Sequence, residues 1–342
     1  MKATDPLDYE TLERQAKLQR RLAWDLERDI PWEMGVDPGR PFLPLDDWGI
    51  AFPGASAEQR LALSQFMGLV VNATISEMED ALPKLRQAGW QRLLDEYPVN
   101  PELRDLGELF FAEEAKHARA FSRYLTEFCH ATGVARKDLD ALLPKAFGSA
   151  FQRRIQANAL AGGHAFWWVV ASVEEVSIAI FQQMLRHRQE LDPLYFHLHR
   201  RHLEEESRHA NYAVLMLSLV QRKPASVRDF LHRKADFVLA EIAGGPWVVT
   251  ELYKFFGVRR LRGAHPFFDV LASCIPLYER LPKPALVRRL FFAAPYVSWL
   301  LNPGWGEKHR GLVHTLGALV PPVPPPERVP LATGFAGVEQ PA

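Results

Sequence analysis

Cysteine is nearly missing from this chain: Cys129 and Cys274, two residues in 342, lie far apart and form no Cys-x-x-Cys arrangement. That excludes a thiolate zinc or iron–sulfur site and suits a reducing, cytoplasmic setting. An excess of charge is missing too. Lys+Arg and Asp+Glu number 41 each, for a formal net charge of zero, so no field of one sign points to a nucleic-acid partner. Basic pairs such as Arg153-Arg154 and Arg200-Arg201 read as solvated helix faces. The first residues, Met1 to Pro6, hold no apolar signal core. The most membrane-like run, Leu290 to Leu301, is short and interrupted by Pro295, so a buried or interfacial helix is expected there, with no transmembrane span.

What is present is length and helical periodicity. A 48% hydrophobic content can bury a large core, and the patterning favours a single helical domain over 1–320. An amphipathic N-terminal helix, about Asp8 to Arg28, leads into a Pro/Gly-rich loop, Ile30 to Pro41, expected to wrap over the rest. Four long helices follow within about 57–221: about Ala57 to Leu82, a second opened by Pro101 and running towards Cys129, about His164 to Gln189, and a fourth after the turn Leu191-Asp192-Pro193. Additional helices are predicted within about 224–301, at Ala225–Ala243, Trp247–Phe256, Pro266–Arg280 and Pro284–Leu301. The segment 321–342, with prolines at 321, 322 and 324–326, reads as an extended tail.

The stretch from His202 to His209 carries the most chemistry. On a helix His202, Glu206 and His209 fall within an arc of roughly 60°, which packing alone does not require. Upstream, Glu114 and His117 repeat the Glu-x-x-His spacing. One such match has little weight, since a chain this rich in Glu and His shows roughly one by chance. Glu127-x-x-His130 is a decoy of that kind, about 220° around the helix from Glu114 and close to its end at Thr132-Gly133. Two Glu-x-x-His helices, each partnered by a helix offering a lone Glu, form the ligand pattern of a two-metal carboxylate site in a four-helix bundle.

The lone carboxylates are less sharply specified. In the first long helix Glu77 falls in line with Phe66, Val70 and Ala73, whereas Glu79 shares the polar side with Asn72 and Ser76; Glu77 is therefore the expected ligand and Glu79 the alternative. In the third, Glu174 and Glu175 interrupt a very apolar run, where a carboxylate is paired, protonated or metal-bound. Glu175 is favoured there, and periodicity leaves Glu174 open. Trp167 and Trp168 read as core, His164, His187, His197 and His199 as satisfied or exposed histidines, and Arg208 and Arg119 as ligand-orienting or surface-paired. Glu114 and Glu175 are 61 residues apart, too far for a hairpin between neighbouring helices. That length fits the long crossover of a ferritin-like bundle, with helical structure of its own around Leu142 to Leu160.

Four carboxylates balance two ferrous ions, and carboxylate with imidazole suits iron or manganese better than zinc or copper. Such a site can bind and reduce dioxygen. The set Glu77, Glu114-x-x-His117, Glu175 and His202-x-x-x-Glu206-x-x-His209 resembles the para-aminobenzoate N-oxygenase (AurF-type) diiron family, which is marked by the additional histidine one turn before the last Glu-x-x-His. The resemblance covers about 57–217. It implies a ferritin-like diiron centre that activates dioxygen and oxidises an arylamine nitrogen stepwise, through hydroxylamine, towards a nitro group. Two irons (or manganese with iron), dioxygen, a small-molecule substrate and an external electron donor are the expected cofactors and partners, and a homodimer is compatible with the sequence. An acyl-chain desaturase or hydroxylase, suggested by aromatic and Leu-rich C-terminal helices, is the alternative. A ferritin-like iron-binding bundle without oxygenase activity is disfavoured by the long C-terminal extension.

Overall fold

Ser56 and Asn100 set the starts of the two longest helices. Ser56 forms a reciprocal capping box with Gln59, and Asn100 accepts from the Glu102 amide with Pro101 in the first turn. A computed structural model of the chain describes residues 9–45, 54–97, 99–221 and 253–280. In chain order the helices are α1 (Tyr9–Leu22), α2 (Ala57–Arg86), α3 (Arg92–Glu96), α4 (Pro101–Thr132), α5 (Arg136–Asp140), α6 (Ser149–Leu160), α7 (Ala165–Met184), α8 (Pro193–Gln221), α9 (Pro266–Ser273) and α10 (Ile275–Arg280). Among the described residues there is no strand, so the all-α expectation holds.

The four long helices are α2, α4, α7 and α8. α2 packs along α4 and α7 along α8, and α4 against α8 joins the two pairs. The link from α4 to α7 is the long crossover, which carries α5 and α6. Gly133, in the left-handed conformation at φ 79°, ends α4 and lets the chain turn into it. Asp192 locks the corner before α8: its carboxylate accepts from the Tyr195 amide at 2.6 Å, the Tyr124 hydroxyl at 2.9 Å and the Asp37 amide at 2.8 Å. The last contact ties down the N-terminal loop, which does wrap the bundle. Ser64 and Gln65 on α2 bind its backbone at Phe42, Leu43, Pro38 and Arg40.

Several expectations need adjusting. α1 ends at Leu22, short of Arg28, and α2 runs on to Arg86 through Pro83. A π-helical turn at Gln87–Gln91 follows, and the Trp167 indole donates to its Gly89 carbonyl at 2.9 Å. The helix expected at Pro266–Arg280 is broken at Cys274, and Tyr253–Leu261 is 3-10 helical. Ala225–Ala243, the start of Trp247–Phe256, Pro284–Leu301 and the proline-rich tail lie outside the described residues. No described helix is long and apolar enough to cross a membrane.

The core is divided. One apolar cluster contains Phe66, Leu69, Ile75, Phe121, Tyr124, Leu198 and Leu203; the other contains Met78, Leu82, Phe110, Phe111, Trp167, Tyr212 and Met216. Between them, on α2, α4 and α8, lies a layer of buried carboxylates and imidazoles. In the second cluster Trp90 lies against Gly107 of α4, its indole donating to the Tyr212 hydroxyl at 2.6 Å. A methyl group at Gly107 would overlap the Trp90 ring. Alanine ordinarily favours a helix by about 1 kcal/mol over glycine, but overpacking costs roughly 1–3 kcal/mol. Gly107→Ala is therefore expected to lower the melting temperature in thermal denaturation.

Candidate metal centre

Six side chains converge in the polar layer, and each is at most 2% exposed: Glu79 from α2, Glu114 and His117 from α4, and His202, Glu206 and His209 from α8. The spacings i, i+3 on α4 and i, i+4, i+7 on α8 bring their ligating atoms to one side. Glu206 Oε1 is the hub, 3.1 Å from His202 Nε2, 3.3 Å from His117 Nδ1 and 3.2 Å from His209 Nδ1. Glu79 Oε1 lies 2.7 Å from His202 Nε2, and Glu114 Oε1 lies 2.7 Å from His209 Nδ1. The donors form two overlapping groups, Glu79–His117–His202–Glu206 and Glu114–His117–Glu206–His209, each with its atoms within 4.8 Å of one another.

The donor set fits a metal pair. Carboxylates can only accept, so the contacts from His117 Nε2 to Glu205 (2.6 Å) and from His209 Nε2 to Glu113 (2.8 Å) place a proton on each Nε2. The Nδ1 lone pairs of the neutral rings then face inward. Both Nδ1 atoms, with Glu79 Oε2, both Glu114 oxygens and Glu206 Oε1, are buried without a hydrogen-bond partner among the described residues. Such orphaned polar atoms are costly in a protein interior, and a shared cation removes the cost.

Electrostatics says the same. Burial, with Glu114 and Glu206 alongside, pushes the Glu79 carboxyl well above the usual range, and burial raises Glu114 despite the nearby His209. Burial opposes charge on His117 and His209, but the carboxylates around them outweigh it and both are raised, His209 strongly. Glu206 resists burial and is lowered by the same two imidazoles. His202 is driven well below its ordinary value by burial and by the positive groups nearby. Without a metal, the layer retains protons to limit its charge.

Glu77, expected to face this centre, does not. Its carboxylate accepts from the Phe147 amide of the crossover at 2.9 Å and lines an open cleft of about 830 Å³ with Ser76, Arg119, Arg136 and Lys145. α2 is buried on several sides, so an apolar line through Phe66, Val70 and Ala73 marked a packed face without marking the ligand face. Two residues of the polar line, Asn72 and Glu79, look inward: Asn72, two turns from Glu79, is fully buried and accepts from His199 Nε2 at 2.8 Å. The pair Asn72 and Glu79 at i, i+7 was the signal. On α7 the Glu175 side chain lies outside the described residues, whereas Glu174 is fully buried and neither oxygen has a hydrogen-bond partner among them. The decoy His130 is exposed, and Glu127 pairs with Arg123. Trp167 and Trp168 are core.

Sequence reasoning also missed Glu113 and Glu205. Each directly precedes an inward-facing Glu, in the doublets Glu113-Glu114 and Glu205-Glu206, and a carboxylate pair on adjacent positions was the available sign.

A family model described as p-aminobenzoate N-oxygenase AurF matches residues 5–265. Comparison with curated proteins and with solved structures gives no significant match.

The geometry separates the two α2 carboxylates experimentally. Glu79→Gln is expected to lower bound metal, measured by elemental analysis after loading with ferrous ion. Glu77→Gln is expected to retain it and to lose about 1–2 kcal/mol of stability through the weakened bond to the Phe147 amide. Equal metal content in the two variants would contradict the assignment.

Proposed function

Since the chain belongs to the p-aminobenzoate N-oxygenase AurF family of ferritin-like diiron oxygenases, we propose that it uses two irons and dioxygen to oxygenate the nitrogen of an arylamine. The observation that carries this reading is the convergence of three imidazoles on Glu206 Oε1, two of which, His117 and His209, present an inward Nδ1 with no hydrogen-bond partner among the described residues. Bound iron would supply the electrons and Lewis acidity for dioxygen reduction and oxygen transfer. Glu79, Glu114, His117, His202, Glu206 and His209 would together hold the pair of ions. We further propose Glu174 as the carboxylate from α7, on the strength of its buried, unpartnered oxygens.

The residues around the centre keep water out and hold the rings. Phe121 meets His202 edge-on at 4.7 Å, Phe110 meets His209 at 4.9 Å, and Trp24 stacks on His117 at 5.5 Å. A dry, apolar wall protects a reactive oxygen species from side reactions and favours an organic substrate over water. The substrate in this reading is a small molecule, and an external electron donor returns the centre to its ferrous state. The acyl-chain reading rests on C-terminal helices that largely fall outside the described residues, and no described feature favours it.

Reduced, iron-loaded protein given ¹⁸O₂ and a panel of arylamines is expected to yield hydroxylamine, nitroso or nitro products carrying the label. Two irons per chain with label only in carbon-bound hydroxyl groups would refute nitrogen as the target.

Proton linkage gives a further check. Glu79, Glu114, His117 and His209 bind protons more tightly folded than unfolded. Each therefore takes stability away from the metal-free fold as pH rises from its unfolded value through its folded one; His202 and His199, both lowered by burial, run the other way up to about pH 6.5, and Glu206 does so only below the ordinary carboxylate range. Metal-free protein is expected to melt lower as pH rises from roughly 6.5 to 8, where the lowered histidines no longer change and His117 and His209 lose their protons, while iron uptake releases protons and tightens over the same range. Melting curves across pH and calorimetry in buffers of different ionisation enthalpy measure the two effects.

A further inference from the structure

The outer nitrogens of two of the histidines are held in a crossed pattern. His117 of α4 donates from Nε2 to Glu205 of α8 at 2.6 Å, and His209 of α8 donates from Nε2 to Glu113 of α4 at 2.8 Å. Each Glu-Glu doublet thus sends one carboxylate into the centre and the other to the histidine of the opposite helix. Among the described residues, the carboxylates that His202 contacts are Glu79 and Glu206, both in the centre itself.

The two outer carboxylates are not equally held. Glu113 accepts from Gln19 Nε2 of α1 at 2.8 Å. Glu205 is fully buried, receives Lys116 Nζ at 2.7 Å and accepts from the Trp24 backbone amide at 3.2 Å. Lys116 also donates to the Trp24 carbonyl at 2.9 Å and sits 4.0 Å from the centre of its indole, whose other neighbour is the His117 ring. Arg208 places one guanidinium nitrogen 3.7 Å from Glu205 and 3.8 Å from Glu113. The segment after α1 is therefore closed over the centre through the Glu205 carboxylate, the Lys116 ammonium and the backbone N–H and C=O of Trp24.

We propose that Glu205 and Glu113 are positioning residues for the metal centre, Glu205 the dominant one, and that through Glu205 the Trp24 segment controls how tightly the metal pair is held. This rests on the two-iron reading above. A hydrogen bond from Nε2 to a carboxylate fixes the tautomer and ring orientation and makes Nδ1 a stronger donor; loss of such a partner typically costs about 10- to 100-fold in metal affinity. Glu205 carries a double load, the His117 ring and the N-terminal closure.

The test uses the full chain loaded with ferrous iron under anaerobic conditions, and reads the rate of iron transfer to a chelator beside the melting temperature of the metal-free protein. Glu205→Gln keeps the shape but weakens the bonds to His117 and Lys116. It is expected to release iron about 10- to 100-fold faster and to lower the melting temperature of the metal-free protein by less than that of the loaded form, since the Lys116 pair is weakened in both. Glu113→Gln should show a smaller acceleration, and Glu204→Gln, on a half-buried neighbour paired with Arg201, none. Release from Glu205→Gln at the wild-type rate would overturn the proposal, and so would a loss of metal-free stability as large as that of the loaded form. If Glu205→Gln does not fold, Lys116→Gln takes its place, with several-fold faster release expected and an unchanged rate counting against the proposal. A wild-type chain that takes up no iron would instead overturn the two-iron reading and this inference with it.

Discussion

Everything in this fold answers to one demand: a layer of carboxylates and imidazoles lies in the middle of a helical bundle, away from water, and must not be left unbalanced. Glu206 Oε1 sits at its centre within 3.3 Å of three histidine nitrogens. A lone ionised carboxylate in such a place is strongly unfavourable, and six such side chains together are tolerable only with retained protons, mutual pairing or bound cations. The apolar core is divided to accommodate them, with one cluster on either side along α2, α4 and α8.

The framework around that layer is rigid where the layer needs it. Helix caps at Ser56 and Asn100 set the starts of α2 and α4, and Asp192 sets the corner into α8 while also binding the N-terminal loop. One turn from His202, His199 stays neutral, its pKa lowered to about 3 by burial, and is satisfied by Asn72. Polar character therefore extends along the bundle axis beyond the centre, in groups that are paired within the protein. The outer carboxylates Glu113 and Glu205 draw α1 and the segment after it onto the same layer. A metal site built this way is inseparable from the chain's tertiary closure, because Gln19 of α1 and the Trp24 backbone reach it through polar bonds as well as packing.

Much of this was legible from residue spacing. His202, Glu206 and His209 share a helix face whatever the rest of the chain does, and so do Glu114 and His117, because the 3.6-residue turn is local geometry. The chain's neutrality, its want of cysteine and its long crossover narrowed the class further, and the additional histidine at His202 pointed to the family that the model match then established. The lone carboxylates were another matter. Glu77 and Glu79 lie on a helix buried on several sides, where an apolar line identifies packing without saying against what. Asn72 and Glu79, on the polar side of that helix, are the residues that face the centre.

What the sequence by itself determined is therefore what periodicity can carry: an all-helical chain, two ligand-bearing helix faces and a metal-binding chemistry of oxygen and nitrogen donors. Only the tertiary structure decided which carboxylate of α2 turns inward, that His117 and His209 are oriented by Glu205 and Glu113 of the opposite helix, and that Trp24 and Lys116 close the site. Those choices depend on the rotation of each helix about its own axis and on contacts between residues 88 to 181 positions apart. A helix wheel fixes relative directions on one helix; the absolute direction comes only when the neighbouring helices are packed against it.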